Sequence, residues 1–331
     1  MTPLVDSLYI HARCCAKKCD CCALYSEAAV RRATVALLKI MAMTKLKAGI
    51  IAGILVAAIA TTAVMVKTHP PISLPPLPNP NGYQYFVQAA RKLPAGVSNY
   101  NQMSPAALRT LVGQDAAALA LARQGFQYEC RVADNFATNL TDTFKSLNYA
   151  FVAEGRLAEL EQRAGDAVRS YLDNLRFGQE SSRGGTIMVR LLGIGIESLA
   201  VKSLWPMTNT ADANRCKEIA LALESLDAKE PSISETMQQE KAWADKNWSL
   251  RDLIPGTRAM QNKMLAPVLQ WAVGKFQTNQ LTLRQTMITF AARAYEMDRK
   301  QPPKSVGDLV PVYLKSIPQD PRTGNLMTNL R

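Results

Sequence analysis

The chain has 331 residues, 48% of them hydrophobic and 20% charged, a globular composition with room for one or two domains that excludes a disordered protein. Its formal charge of +12 would suit a nucleic-acid binder, but residues 1–82 hold nine Lys/Arg against three acids, residues 83–249 eighteen against nineteen, and residues 250–331 twelve against five. The excess sits at the two ends, and no nucleic-acid partner is expected. The only histidines are His11 and His69, both ahead of the main body. Ser-His-Asp and Cys-His catalysis, HExxH zinc sites and histidine-dependent metal centres are therefore excluded there.

At the N-terminus Cys14, Cys15, Cys19, Cys21 and Cys22 crowd into nine residues. A thiolate metal site drawn from Cys14, Cys15, Cys19 and Cys22 is the sharper reading, but adjacent Cys14 and Cys15 are poorly placed to close a tetrahedron. A disordered, basic extension over residues 1–42, or a start of translation at Met41 or Met43, is the simpler one. No cofactor and no small-molecule ligand are expected. Cys130 and Cys216 could pair in an oxidising compartment.

Residues 48–66, AGIIAGILVAAIATTAVMV, run for nineteen positions without a charge. At about 1.5 Å per residue they nearly match the roughly 30 Å hydrocarbon thickness, so residues 43–67 are predicted as a transmembrane anchor. Arg31, Arg32, Lys39, Lys45 and Lys47 precede the run and Lys67 alone closely follows it, which places the N-terminus inside and the main domain outside. With a start at Met43 the same run reads as a signal peptide with a cleavage site at Ala58-Ile59-Ala60. The segment from Ala33 to Val66 resembles the membrane extension of ECF-type sigma factors, a resemblance that implies an anchor and no promoter recognition.

From His69 to Gly82 the chain reads HPPISLPPLPNPNG. Six prolines fix φ and remove backbone donors, predicting an extended linker over residues 68–82 with a reach of about 3.1 Å per residue.

The fold class expected for 83–331 is all-α, an irregular helical bundle. Ser104-Pro105 is an N-cap and first-turn pair for a helix ending at Gly125. Residues 138–162 carry Phe144, Leu147, Phe151, Leu157 and Leu160 at near-helical spacing. A short helix is predicted between Gly165 and Gly178, and an apolar one at 186–205, where Arg190, Glu197 and Lys202 argue against a second membrane span. Further helices are predicted at 210–227, at 233–247 behind a Ser232–Glu235 capping box, at 258–276 and at 282–298. The stretch 157–178, with Ala167, Tyr171 and Leu175 in line, resembles one tetratricopeptide unit, without a second copy at the 34-residue period a solenoid needs.

Two weak motifs remain. Glu180 in GQESSRGG resembles the Glu-Ser pair of lytic transglycosylases, where a glutamic acid protonates a glycosidic oxygen. The Gly-rich motif those enzymes require is replaced here by TIMVRLLGIGIE. The glycines of GIG at 193–195 lie inside an apolar helix and are read as close helix packing, not as a phosphate loop.

The tail, FAARAYEMDRKQPPKSVGDLVPVYLKSIPQDPRTG at 290–324, is the most specific feature. A helix ends near Arg299 at Pro302-Pro303, Ser305 caps a short amphipathic helix bearing Val306, Leu309, Val310, Tyr313 and Leu314, and Pro318, Asp320-Pro321 and Thr323-Gly324 impose turns. This order resembles the C-terminal part of type II secretion pseudopilins and, more closely, a group of uncharacterised bacterial membrane-anchored helical proteins. The pseudopilin processing signature is missing around residues 43–50, and no calcium site is carried over to Asp320. The leading expectation is a membrane-tethered, non-enzymatic interaction or scaffold domain of the bacterial cell envelope, facing a protein or an anionic wall polymer. A glycan-cleaving enzyme centred on Glu180 and a secretion-apparatus component are the alternatives.

Overall fold

The computed structural model describes residues 74–94, 100–133, 140–246 and 257–330. The chain divides into two units, Met1–Pro70 and Pro71–Arg331, and all described residues lie in the second. The Cys-rich extension with Cys14, Cys15, Cys19 and Cys22, the anchor at 48–66 and the first part of the proline linker fall outside them. Among the described residues no helix is long and apolar enough to cross a membrane.

The described residues form an all-α bundle of eight helices and no strand. They are α1 (Gly82–Arg91), α2 (Pro105–Gly125), α3 (Leu140–Leu160), α4 (Ala164–Ser182), α5 (Ile187–Leu204), α6 (Ala213–Asp227), α7 (Ile233–Lys246) and α8 (Thr257–Arg299). Their starts follow the caps written in the sequence. Ser104 Oγ accepts from Ala107 N (3.3 Å), Asp212 Oδ1 from Arg215 N (2.8 Å), and Ser232 Oγ from Glu235 N (3.0 Å), each satisfying a donor the helix cannot. Asn81 ends the proline linker and caps α1. Its Oδ1 accepts from Tyr83 N and Arg131 N, both at 3.1 Å, and its Nδ2 donates to Arg131 O (2.8 Å), pinning the start of α1 to the loop after α2.

Two apolar clusters fill the bundle. One gathers Phe86 of α1, Leu119 and Phe126 around α2, Phe144 and Phe151 of α3 and Phe177 of α4. The rings of Phe86 and Phe144 meet Phe177 edge-on at centroid distances of 5.3 and 5.4 Å, the arrangement ring quadrupoles favour. The larger cluster joins Leu108, Leu157, Tyr171, Leu175, Leu204, Leu223, Phe290 and the tail residues Val306, Leu309, Tyr313 and Leu314. Cys130 belongs to the first cluster and Cys216 to the second, both as free thiols. They do not pair, and burial pushes their thiols up to about 12 and about 11.

Three local expectations are corrected. α4 does not stop at Gly178 but runs to Ser182, because Gly178 is a crossing point: a Cβ there would lie 2.8 Å from Gly193 O and 2.7 Å from Glu197 Cγ. The two helices expected at 258–276 and 282–298 are one, α8, with Pro267 inside it. The polar stretch between them, QTNQL, has no breaker. Thr278 and Thr282 donate back to Gly274 O (2.6 Å) and Thr278 O (2.9 Å), and Asn279 reaches another helix, so polar residues that read as a loop are spent on the helix itself and on tertiary contacts. In the tail, Ser305 caps only a 3-10 turn, Val306–Leu309, closed by Asp308 Oδ2 accepting from Lys304 N (2.7 Å) and Ser305 N (2.9 Å).

Candidate functional site

Two features of the bundle carry polar chemistry: a buried charged junction inside it and an open groove on the far side of α8.

The junction grows from α5. Arg190 and Glu197 stand seven residues apart, two helical turns, and so share a face. Each is only 1% exposed. The guanidinium Nη1 donates to Glu197 Oε1 and to Ser182 Oγ of α4 (3.2 Å), while Nη2 donates to Glu230 Oε1 (2.8 Å) just past α6. Asn279 Nδ2 of α8 donates to Glu197 Oε2 at 2.6 Å. One cation thus sits between two carboxylates, drawing on α4, α5, α8 and the α6–α7 connection. Glu230 Oε2 is buried without a hydrogen-bond partner among the described residues. Burial first, and the neighbouring Glu197 second, push the Glu230 carboxyl up to about 7, against the pull of Arg190. Breaking such a pair from one side costs about 3–5 kcal/mol, since it strands a charge in low dielectric. The junction is closed to solvent and locks helices together.

The groove has a volume of about 640 Å³. Its floor is α8, with Leu281, Gln285, Ile288 and Thr289; Trp205 stands at the end of α5; the tail supplies Asp320, Arg322, Asn325, Leu326 and Thr328. The indole of Trp205 and the side chain of Leu326 are both half exposed. Amides, hydroxyls, one carboxylate and one guanidinium thus share the lining with the apolar Leu281, Ile288 and Leu326, a mixed surface suited to orienting a ligand.

The wall made by the tail is held at several points. Glu224 of α6 accepts from Lys315 N (2.9 Å) and Ser316 N (3.1 Å). Arg284 of α8 pairs with Asp227 (3.0 and 2.9 Å) and donates to Gln319 O (2.5 Å). Gln277 Nε2 donates to Pro321 O (3.2 Å), Arg322 Nη2 to Thr278 Oγ1 (3.0 Å), and Tyr313 OH to Asp298 (2.9 Å). The turns written as Pro318, Asp320-Pro321 and Thr323-Gly324 are closed by Gly324 N donating to Asp320 O (2.7 Å) and Asp320 N to Asn325 O (2.8 Å). A segment without regular structure thereby becomes a fixed wall.

Glu180 lies on α4, two residues before Ser182 and outside the hydrogen bonds of the junction and the lining of the groove. Both its carboxylate oxygens accept from Arg183, from Nε at 2.9 Å and Nη2 at 3.1 Å, and that Nη2 also donates to Lys229 O (2.6 Å). No second acid is brought against it by these contacts. Of the GIG glycines, Gly193 sits in the α4–α5 crossing, where a Cβ would strike Ser182 Oγ and lie 2.5 Å from Gly178 O, whereas Gly195 has nothing within 4 Å. Arg190 and Glu197 were legible as charges that disfavour a membrane span; their opposite signs at two-turn spacing in an apolar helix were the unused signal for an internal pair. Trp205 had no such signal. Among the described residues no group of three or more His, Cys, Asp or Glu is placed to hold a metal ion. No protein-family model, curated protein or solved structure matches the chain.

Proposed function

We propose that the chain is a membrane-tethered, non-enzymatic interaction domain of the bacterial cell envelope that engages a protein or wall polymer in the groove between α8 and the tail. The observation that carries this reading is the tail itself, fixed by Glu224, Arg284 and Gln277 so that it builds one wall of a groove opposite Trp205. Tethering rests on the apolar run 48–66 and the basic residues ahead of it, and the proline linker gives the domain reach. The pairing of Glu180 with Arg183 supports a structural part for that acid rather than a glycosidic proton donor. Tetratricopeptide-like packing of the α3–α4 hairpin belongs to the same proposal. Its support is Gly155, where a Cβ would collide with the Tyr171 ring, beside the buried Ala167.

A photo-crosslinking residue placed at Leu326, and in a second strain at Leu160 on an exposed part of α3, tests the groove in living cells. A discrete adduct from position 326 that is absent from position 160, and lost on external protease treatment, is the expected result. The same adducts from both positions, or none from 326, would remove the groove from the proposal.

A further inference from the structure

The groove between α8 and the tail, about 640 Å³ in volume, lies within the range of about 300–1,000 Å³ that encloses a small ligand or one stretch of a longer chain. Ile288 is buried and Met327 packs on the core, which leaves the half-exposed indole of Trp205, Leu281 and Leu326 as its apolar contacts. Carboxamides stand on two sides of it, Gln285 on α8 and Asn325 and Asn329 on the tail, with the hydroxyl of Thr328 beside them. Among the described residues these four side chains make no hydrogen bond, so both donors and acceptors are open to a ligand. The two charges of the lining cancel. Asp320 Oδ1 accepts from Arg322 N (2.8 Å), and Arg322 Nη2 is held on Thr278 Oγ1 (3.0 Å).

An uncharged pyranose chain fits each of these features. The flat face of its ring presents C–H bonds to the negative face of an indole, and its rim carries hydroxyls that donate and accept at once, as carboxamides do. A peptide fits less well. The backbone of the wall is paired within the tail, Met327 N donating to Pro318 O (2.9 Å), Asp320 N to Asn325 O (2.8 Å) and Val306 N to Thr328 O (3.2 Å), which leaves little strand edge to extend. A helical peptide needs apolar anchors over successive turns, and Leu281 with Leu326 make a short track. An anionic polymer would meet Asp320 as well as Arg322, without a surplus cation among the described lining residues. We infer that the groove is a saccharide subsite, in which Trp205 stacks on one ring of an uncharged, equatorially linked glycan and Gln285, Asn325 and Asn329 bind its hydroxyls. This assignment rests on the groove being the binding surface of the domain, and it narrows the ligand to one class.

The test is calorimetric titration of the full chain, in a detergent without a sugar headgroup, with cellohexaose, chitohexaose and polygalacturonate. At least one of the two neutral hexasaccharides is expected to bind. Trp205→Ala should then weaken that binding about tenfold or more and Trp205→Phe by less, since a ring remains to stack on. Asn325→Ala, on the exposed tail, should weaken it about threefold to tenfold for the hydrogen bonds it loses, and Leu160→Ala on α3 should leave it unchanged. Circular dichroism of each variant confirms the fold, and Asn325→Ala keeps the test decisive if Trp205→Ala unfolds the chain. Binding of neither hexasaccharide would overturn the inference, as would binding that Trp205→Ala and Asn325→Ala leave unchanged, or tighter binding of polygalacturonate. Cross-linking from position 326 reports on the groove alone. A protein adduct there without sugar binding would leave the groove standing and remove the glycan, whereas no adduct and no sugar binding would remove both.

Discussion

The two halves of α8 use similar residue types to opposite ends. From Phe276 to Ala294 the apolar residues Phe276, Leu283, Met287, Phe290, Ala291 and Ala294 recur at helical spacing and all are buried, while Gln277, Thr278 and Arg284 on another side hold the tail. From residue 266 to 275 only Ala272 is fully buried, and Val268 and Trp271 face solvent. A helix with three or four neighbours consumes its apolar stripe in the core. Where the neighbours run out, over residues 266–275, the same composition becomes surface.

The largest effect that would sharpen this contrast comes from the joint between α5 and the anchored half. Glu197→Ala leaves Arg190 with Glu230 as its one carboxylate partner and removes the acceptor of Asn279, so a loss toward the lower end of about 3–5 kcal/mol is expected in a urea melt. Trp271→Ala in the free half should stay within about 0.5 kcal/mol of the parent. Equal losses from the two variants would mean that the first half of α8 is packed after all.

The joint also makes the contrast dependent on pH. The folded state raises the Glu230 carboxyl from its ordinary value of 4.5 to about 7, so between those values the native protein binds more protons than the unfolded chain. The contribution of Glu230 is therefore fully present below about pH 4.5 and is lost as pH rises through about 7. A tenfold bias in protonation is worth ~1.4 kcal/mol, which puts the loss at a few kcal/mol. Melts of the parent and of Glu230→Gln at a series of pH values should show the parent losing stability relative to the variant across this window. Parallel curves would place Glu230 in solvent and dissolve the closed junction.

Much of the all-α body was legible because its signals are local. Ser104-Pro105 and Ser232 are caps wherever they stand, and the 3.6-residue rhythm of Phe144, Leu147 and Phe151 needs no partner to be read. The errors came where a local signal had a distant cause. Gly178 looks like a stop and is a crossing, and QTNQL looks like a loop because Asn279 and the threonines are polar. The groove was the least legible part. Its wall is fixed by Glu224 and Arg284, 91 residues from Lys315 and 35 from Gln319 in sequence, separations no periodicity can report. The tail motif announced the turns correctly but not what they enclose.

The contrast between an occupied and an empty helix face recurs within α5, in two glycines two residues apart, and here the expected effects are smallest. Gly193 faces α4 across backbone: a Cβ would meet Gly178 O at 2.5 Å, and Gly178 belongs to a helix that cannot yield like a side chain. Gly193→Ala should force α4 and α5 apart and cost about 1–3 kcal/mol. Part of that cost would fall on the junction, since Ser182 accepts from Arg190 on the same crossing. Gly195 is exposed with nothing within 4 Å, so Gly195→Ala only relieves the helix of a poor former and should stabilise it by up to about 1 kcal/mol. Chemical melts of the two variants decide whether GIG is a packing motif at one position. Destabilisation by both would mean that the face of α5 at Gly195 is packed within the fold and not open.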